Sequence, residues 1–170
     1  MGKLFHLTFE GLMDTNVITP EGYAELQQEL DDLWRKERPE VTRKVQWAAS
    51  LGDRSENADY QYNKKRLREI DRRVRFLRNR RSKLRVVEYS PVQEGKAVFG
   101  AWVTLVDEDD NELTFRFVGP DEIYGEKNYV SVHAPVVKAC LGKSEGDEIM
   151  VRTPESTKLW EIDRICYQQP

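Results

Sequence analysis

Three carboxylates, Asp53, Glu56 and Asp59, fall within the short stretch Leu51-Gly52-Asp53-Arg54-Ser55-Glu56-Asn57-Ala58-Asp59-Tyr60. Carboxylate oxygens are hard ligands that suit Mg2+, which is often held by one or two such groups together with substrate phosphates and water. Two or three of them in one turn would bind free Mg2+ poorly, but they can complete a site whose other ligands come from a partner. The same residues also have a structural use. Asp53 followed three positions later by Glu56 is a helix-capping pattern, the aspartate accepting backbone N–H bonds and the glutamate reaching back. The two uses are compatible, since one carboxylate can cap through one oxygen and offer the other.

Beyond this acidic stretch the charge reverses. Met1 to Asn63 carries 7 basic and 12 acidic residues, Lys64 to Arg85 carries 12 basic and 2 acidic, and Val86 to Pro170 carries 8 basic and 16 acidic. The net charge of −3 therefore conceals a strongly positive block between two acidic ones. Such a block suits a polyanion, because clustered cations displace its counterions and arginine's planar fork gives phosphate two parallel bonds. Lys64, Lys65, Arg68 and Arg72, nearest the acidic stretch, are the candidates for contact with that polyanion. The plainer alternative is a solvated helix with local pairs to Glu69 and Asp71. Two acids cannot neutralise so many cations.

Two long helices must position these groups. Thr19-Pro20-Glu21 is a helix start: a capping hydroxyl, proline at the first helical position and an acid in the first turn. Tyr23, Leu26, Leu30 and Leu33 follow at coiled-coil spacing, and a second seam runs through Trp34, Val41, Val45 and Ala48. The phase slips by one residue at Leu33-Trp34, shortly before Pro39, so a kink is expected there. Gly52 ends this helix. Tyr60, Leu67, Ile70, Val74, Leu77 and Leu84 then form another heptad series. Two heptad helices joined by so few residues must be antiparallel. At 1.5 Å per residue the hairpin reaches roughly 45 Å, with the carboxylates at its tip.

After Val87 the period changes. Strands are expected over Ala97 to Val106, Leu113 to Val118, Tyr129 to Val132, Glu148 to Thr153 and Lys158 to Tyr167, with one short helix from Pro135 to Leu141. The fold class is α+β: an N-terminal antiparallel helical hairpin over residues 17–87, its acidic tip at 53–59, then a small α+β domain over residues 92–170. Residues 1–16 show no period and are expected to be a leader or a disordered segment, with Met13 as a possible native start.

Of the 170 residues, 34% are charged and only 39% apolar, too few for one thick core throughout. No apolar run is long enough for a membrane span or a signal-peptide core. Cys140 and Cys166 lie far apart with apolar neighbours, which suits two buried reduced thiols and a cytoplasmic location.

From Trp47 to Leu77 the chain reads W-A-A-S-L-G-D-R-S-E-N-A-D-Y-Q-Y-N-K-K-R-L-R-E-I-D-R-R-V-R-F-L. This resembles the hairpin tip and second arm of the bacterial Gre transcript cleavage factors, and the long arginine-rich arm matches the GreB type. The similarity extends from about Val17 to Tyr167 and takes in Glu37 to Glu40, Tyr89-Ser90-Pro91 and Gly100 to Val103. It implies a hairpin that enters the secondary channel of RNA polymerase, with Asp53 and Glu56 as the catalytic acids that help retain a Mg2+ shared with polymerase. Asp59 is a weaker metal candidate. It further implies a basic face toward the backtracked RNA 3′ segment and an FKBP-like second domain that docks on polymerase. The docking turn corresponds to His133-Ala134-Pro135, where relatives more often carry Asp-Ser-Pro or Asn-Ser-Pro. On this resemblance the chain is a monomeric activator of polymerase's own nuclease, without a complete active site. Two other readings use the same residues. One is a coiled coil that binds nucleic acid alone, which leaves an acidic tip facing phosphate; the other is a channel regulator that inhibits polymerase without cleavage.

Overall fold

The computed structural model describes residues 16–125 and 127–170. Residues 1–15 of the expected leader lie outside the described residues. The chain divides into two compact units, Tyr23–Leu84 and the parts on either side of it, each with its own apolar core.

The Tyr23–Leu84 unit is an antiparallel pair of helical arms. The first arm comprises α1 (Pro20–Asp31) and α2 (Arg38–Ser50) and the second is α3 (Ala58–Lys83). Thr19 starts α1 as its sequence implies: its Oγ1 accepts the Gly22 N–H at 3.1 Å, with Pro20 in the first helical position. The expected interruption near Pro39 takes a different form. Asp32–Glu37 continues the arm as π-helix, and the Arg38 N–H bonds to the Leu33 carbonyl five residues back. The wider turn lies immediately before Pro39, which has no N–H to give and crowds an α-helical carbonyl. It also absorbs the extra residue in the heptad phase. Leu26, Leu30 and Leu33 can then share one buried seam with Val41 and Ala48, facing Ile70, Val74 and Leu77 of α3. Trp34, expected in that seam, is turned out of it and is 43% exposed.

Ion pairs cross between the arms. Arg73 holds Glu29 with two bonds of 2.7 and 3.0 Å, Arg38 holds Asp71 at 2.7 Å, and Arg66 Nε reaches Glu37 at 2.7 Å. All are partly exposed, so each contributes about 0.2–1 kcal/mol. Their main effect is to fix register along a thin apolar seam.

The other unit carries a five-stranded sheet in which the strand at Trp102–Val106 is central, flanked by Glu112–Val118 and then Tyr129–Ser131 on one side and by Thr157–Cys166 and then Glu148–Arg152 on the other. The strands are β3 (Trp102–Val106), β4 (Glu112–Val118), β5 (Tyr129–Ser131), β6 (Glu148–Arg152) and β7 (Thr157–Cys166). All neighbours are antiparallel except β4 and β5. The short helix α4 (Pro135–Cys140) contributes Val137 and Cys140 to the core between Phe115, Phe117 and Ile162. This is the expected α+β fold. The first strand is shorter than expected, because Gly100 adopts a left-handed φ of 86° and Ala97 bonds instead with Gly142 and Lys143. Both thiols are free. Cys140 is buried and desolvation pushes it up to about 12, whereas Cys166 is only half-buried.

One pairing was not apparent in the sequence. Val17–Ile18 (β1) and Arg85–Val86 (β2), assigned from their position to the ends of the hairpin, form a parallel two-stranded ladder in the sheet's unit. The turn after β4 seals it. There the buried carboxylate of Glu122 accepts N–H bonds from Thr19 at 3.1 Å and Gly119 at 2.8 Å, and also the Thr19 hydroxyl. Burial raises its pKa despite these donors. Gly119 lies so close that a Cβ there would stand 2.0 Å from the Val17 carbonyl oxygen. We expect Gly119→Ala to destabilise the protein by about 1–3 kcal/mol in chemical denaturation. A wild-type midpoint would show that β1 is not held by this turn.

Candidate functional site

The arms meet at the tip through Asn57. α2 ends at Ser50, Gly52 takes a left-handed φ of 114°, and α3 begins at Ala58. The Asn57 Oδ1 caps α3 by accepting the Tyr60 N–H at 3.0 Å, and its Nδ2 donates to the Ala48 carbonyl of α2 at 2.9 Å. One side chain therefore caps one helix and binds the other. The cap expected from Asp53 and Glu56 does not form. The sequence contained a signal for the alternative, an asparagine immediately before the helix, but two carboxylates at capping spacing stood beside it.

Asp53 instead closes a local turn. Its Oδ1 accepts from the Ser55 N–H at 2.9 Å and the Ser55 hydroxyl at 2.8 Å. The Ser55 hydroxyl, then its N–H and the Glu56 N–H, lower the Asp53 pKa, so the exposed group stays ionised below the ordinary aspartate range. Both bonds from Ser55 go to Oδ1. The carboxylates of Glu56 and Asp59 are exposed and have no hydrogen bond or ion pair among the described residues. No group of three or more His, Cys, Asp or Glu side chains among the described residues is arranged to hold a metal. The donor set therefore suits Mg2+ in kind, as hard oxygens, but only as part of a shell.

Along α3 the cations separate into two groups. Arg66 and Arg73 are engaged by Glu37 and Glu29 of the first arm, a neutralisation that counting acids within α3 alone could not reveal. Lys64 lies against Tyr60, its Nζ 3.3 Å from the phenol oxygen. Lys65, Arg68 and Arg72 are exposed, have no carboxylate partner among the described residues, and share one helix face at spacings of three and four. Three of the four candidate RNA residues, Lys65, Arg68 and Arg72, are thus without an acid partner among the described residues, as are Arg75 and Arg78.

His133, Ala134 and Pro135 form the turn into α4. The backbone N–H groups of His133 and Ala134 bond to Ser131, Pro135 occupies the first helical position, and Ala134 supplies no side-chain cap. The Nε2 of His133 is buried without a hydrogen-bond partner among the described residues. Missed in the sequence was the cluster around Trp34, whose ring has the Arg38 and Arg78 guanidiniums 5.1 and 4.4 Å from its centroid.

Residues 16–86 match the family description "Transcription elongation factor, N-terminal", and residues 92–167 match "Transcription elongation factor, GreA/GreB, C-term". The chain belongs to the GreA/GreB family. It is 58% identical over 157 residues to the transcription elongation factor GreB of Pseudomonas putida, covering 92% of this chain and 97% of that one. To GreB of Vibrio vulnificus it is 54% identical over 158 residues, 92% and 99% of the two chains. Among solved structures, the transcription factor Gfh1 aligns with a TM-score of 0.41 and 23% identity over 88% of this chain and 96% of that one.

The tip makes a distinction that unfolding can test. Asn57→Ala removes a cap and an inter-arm bond and should cost about 1–2 kcal/mol. Glu56→Ala should leave stability within about 0.5 kcal/mol of wild type. The reverse ranking in urea denaturation would restore the Asp53–Glu56 capping box.

Proposed function

We infer that this chain is an RNA polymerase accessory factor whose hairpin enters the secondary channel and stimulates Mg2+-dependent cleavage of backtracked RNA, returning arrested complexes to elongation. What supports this reading above all is the state of Asp53 and Glu56. They stand exposed at the tip of a helical hairpin, outside the cap of α3, in a chain of the GreA/GreB family.

The chain's own residues would act as follows. Ser55 holds Asp53 in one orientation and keeps it charged, leaving Oδ2 to offer to the ion. Glu56 supplies a second oxygen and orients the attacking water, and Asp59, the second residue of α3, is a weaker contributor. Mg2+, held jointly with polymerase aspartates, would polarise the scissile phosphate and activate the water. Asn57 does not touch the ion; it keeps the two arms from splaying, so that the carboxylates arrive as a set. Lys64, Lys65, Arg68 and Arg72 would take the phosphates of the extruded RNA, and His133-Ala134-Pro135 would meet the polymerase rim. The Pro135 helix start there is retained without the polar side chains more usual before it, so docking at this turn would lean on shape and apolar contact.

This reading fixes three outcomes. The purified protein should hydrolyse no RNA without polymerase; cleavage that persists after polymerase is rigorously excluded contradicts it. Asp53→Asn or Glu56→Gln should slow cleavage by roughly 100-fold or more while polymerase binding is retained. Equal loss of both would leave the carboxylates a structural role only, and retained binding with no cleavage even by the wild-type protein would instead favour an inhibitory channel regulator. Finally, Arg68→Glu with Arg72→Glu should impair deeply backtracked complexes more than shallow ones, with the salt slope falling by about one or two. A uniform effect at every depth would remove RNA from this face.

A further inference from the structure

Part-way along the hairpin, Trp34, Arg38, Asp71, Val74, Arg75 and Arg78 line a cavity of about 290 Å3. This lies at the lower edge of small-ligand pockets and suits one planar ring system. We propose that it is a nucleotide-binding pocket, in which a nucleobase stacks on Trp34 while its phosphate is taken by Arg75 and Arg78, and that its natural occupant is a nucleotide of single-stranded RNA. The proposal rests on the RNA contact assigned above to the basic face and extends that contact toward the base of the hairpin.

Four observations carry it. The first is Trp34 itself, an indole left 43% exposed although the heptad phase could have buried it. It lies within the π-helical segment Asp32–Glu37, and π turns recur at functional sites because they re-aim side chains at the cost of regular hydrogen bonding. The second is the chemistry of the walls. Three guanidiniums surround the ring and Val74, against one carboxylate, Asp71, that Arg38 already engages with bonds of 2.7 and 3.4 Å. Arg75 and Arg78 have no carboxylate partner among the described residues.

Third, the two arginines over Trp34 are held differently. Arg38 is anchored by Asp71, whereas Arg78, 4.4 Å from the ring centroid, is not anchored by an acid. Arg78 can therefore exchange its place on the indole for a phosphate when a base arrives, and cation–π contact of this kind is weak enough to be exchanged. Aromatic rings and guanidinium planes are the surfaces on which unpaired bases stack. Fourth, the pocket continues the basic face. Lys65, Arg68, Arg72 and Arg75 follow one another at spacings of three, four and three, so one face of α3 leads from near the tip to the pocket wall over about 15 Å. A strand tracking those cations by its phosphates would reach Trp34 with a base to place.

The test needs no polymerase, so its failure is separable from failure of the cleavage reading, which the Asp53 and Glu56 variants decide. The indole N–H signals of the full-length protein are followed by NMR as pentameric oligoadenylate, adenosine monophosphate or inorganic polyphosphate is added. The pentamer should move the Trp34 signal. Its affinity should fall about ten-fold in Trp34→Leu and be largely restored in Trp34→Phe, as expected for loss and return of one stacked base. Arg75→Gln with Arg78→Gln, which leaves the ring in place, should weaken binding to a similar extent and decides the matter if Trp34→Leu does not fold. Pentamer binding tighter than that of the monophosphate assigns the pocket to a strand; equal binding assigns it to a free nucleotide and overturns RNA as its occupant. A Trp34 signal that does not move, or polyphosphate that matches the pentamer and binds Trp34→Leu unchanged, would reduce the pocket to a patch of positive charge and overturn the proposal.

Discussion

Two helices as polar as these adhere along a seam only a few side chains wide, and the rest of the hairpin follows from the need to keep that seam in register. Burying Leu30, Leu33, Ile70, Val74 and Leu77 supplies the attraction. Attraction along a uniform stripe does not by itself stop one arm from sliding a turn past the other. Register is held by groups that pair at one place only: Asn57 across to Ala48, Arg66 to Glu37, Arg38 to Asp71 and Arg73 to Glu29. None is worth much alone. Together they make the slipped arrangement leave several charges and an amide without partners.

The same constraint explains which polar groups are left for function. An acid that locks the register is not available to a metal, and an arginine that locks it is not available to a phosphate. Asn57, neutral and able both to donate and to accept, joins the two arms at the tip, while the carboxylates of Glu56 and Asp59 have no partner among the described residues. Along α3 the partners in the first arm engage Arg66 and Arg73 and leave Lys65, Arg68, Arg72, Arg75 and Arg78 unmatched by acids among the described residues. The division between cations engaged by acids and cations left without one is thus made by the facing helix.

In the second unit a different economy holds. A buried carboxylate, Glu122, is kept in place by the Thr19 and Gly119 N–H groups and the Thr19 hydroxyl, although burial disfavours its charge. Thr19 therefore serves two structures at once, capping α1 through its Oγ1 and donating to the turn after β4. A threonine before a proline announces the first role in any sequence. The second depends on residue 122 coming into contact with residue 19, which no local pattern states.

Much of this protein was legible in its sequence because the signals were local or periodic. Thr19-Pro20 started a helix, Gly52 ended one, the heptads paired two, and alternating strands with a proline-led helix gave the α+β domain within a residue or two at most boundaries. The chemistry-bearing types, Asp53, Glu56 and the basic run, were equally visible, as was the likeness to the Gre factors. Tertiary structure decided what those residues were free to do. Trp34 left the seam because a π turn absorbed the one-residue slip, Asn57 replaced Asp53 as the cap because it could also reach Ala48, and Val17–Ile18 joined Arg85–Val86 in a ladder spanning distant parts of the chain. The reason is common to all three. Periodicity and capping patterns report what a segment favours by itself, whereas the partner of a hydrogen bond or an ion pair is chosen by whichever distant group the fold brings to it.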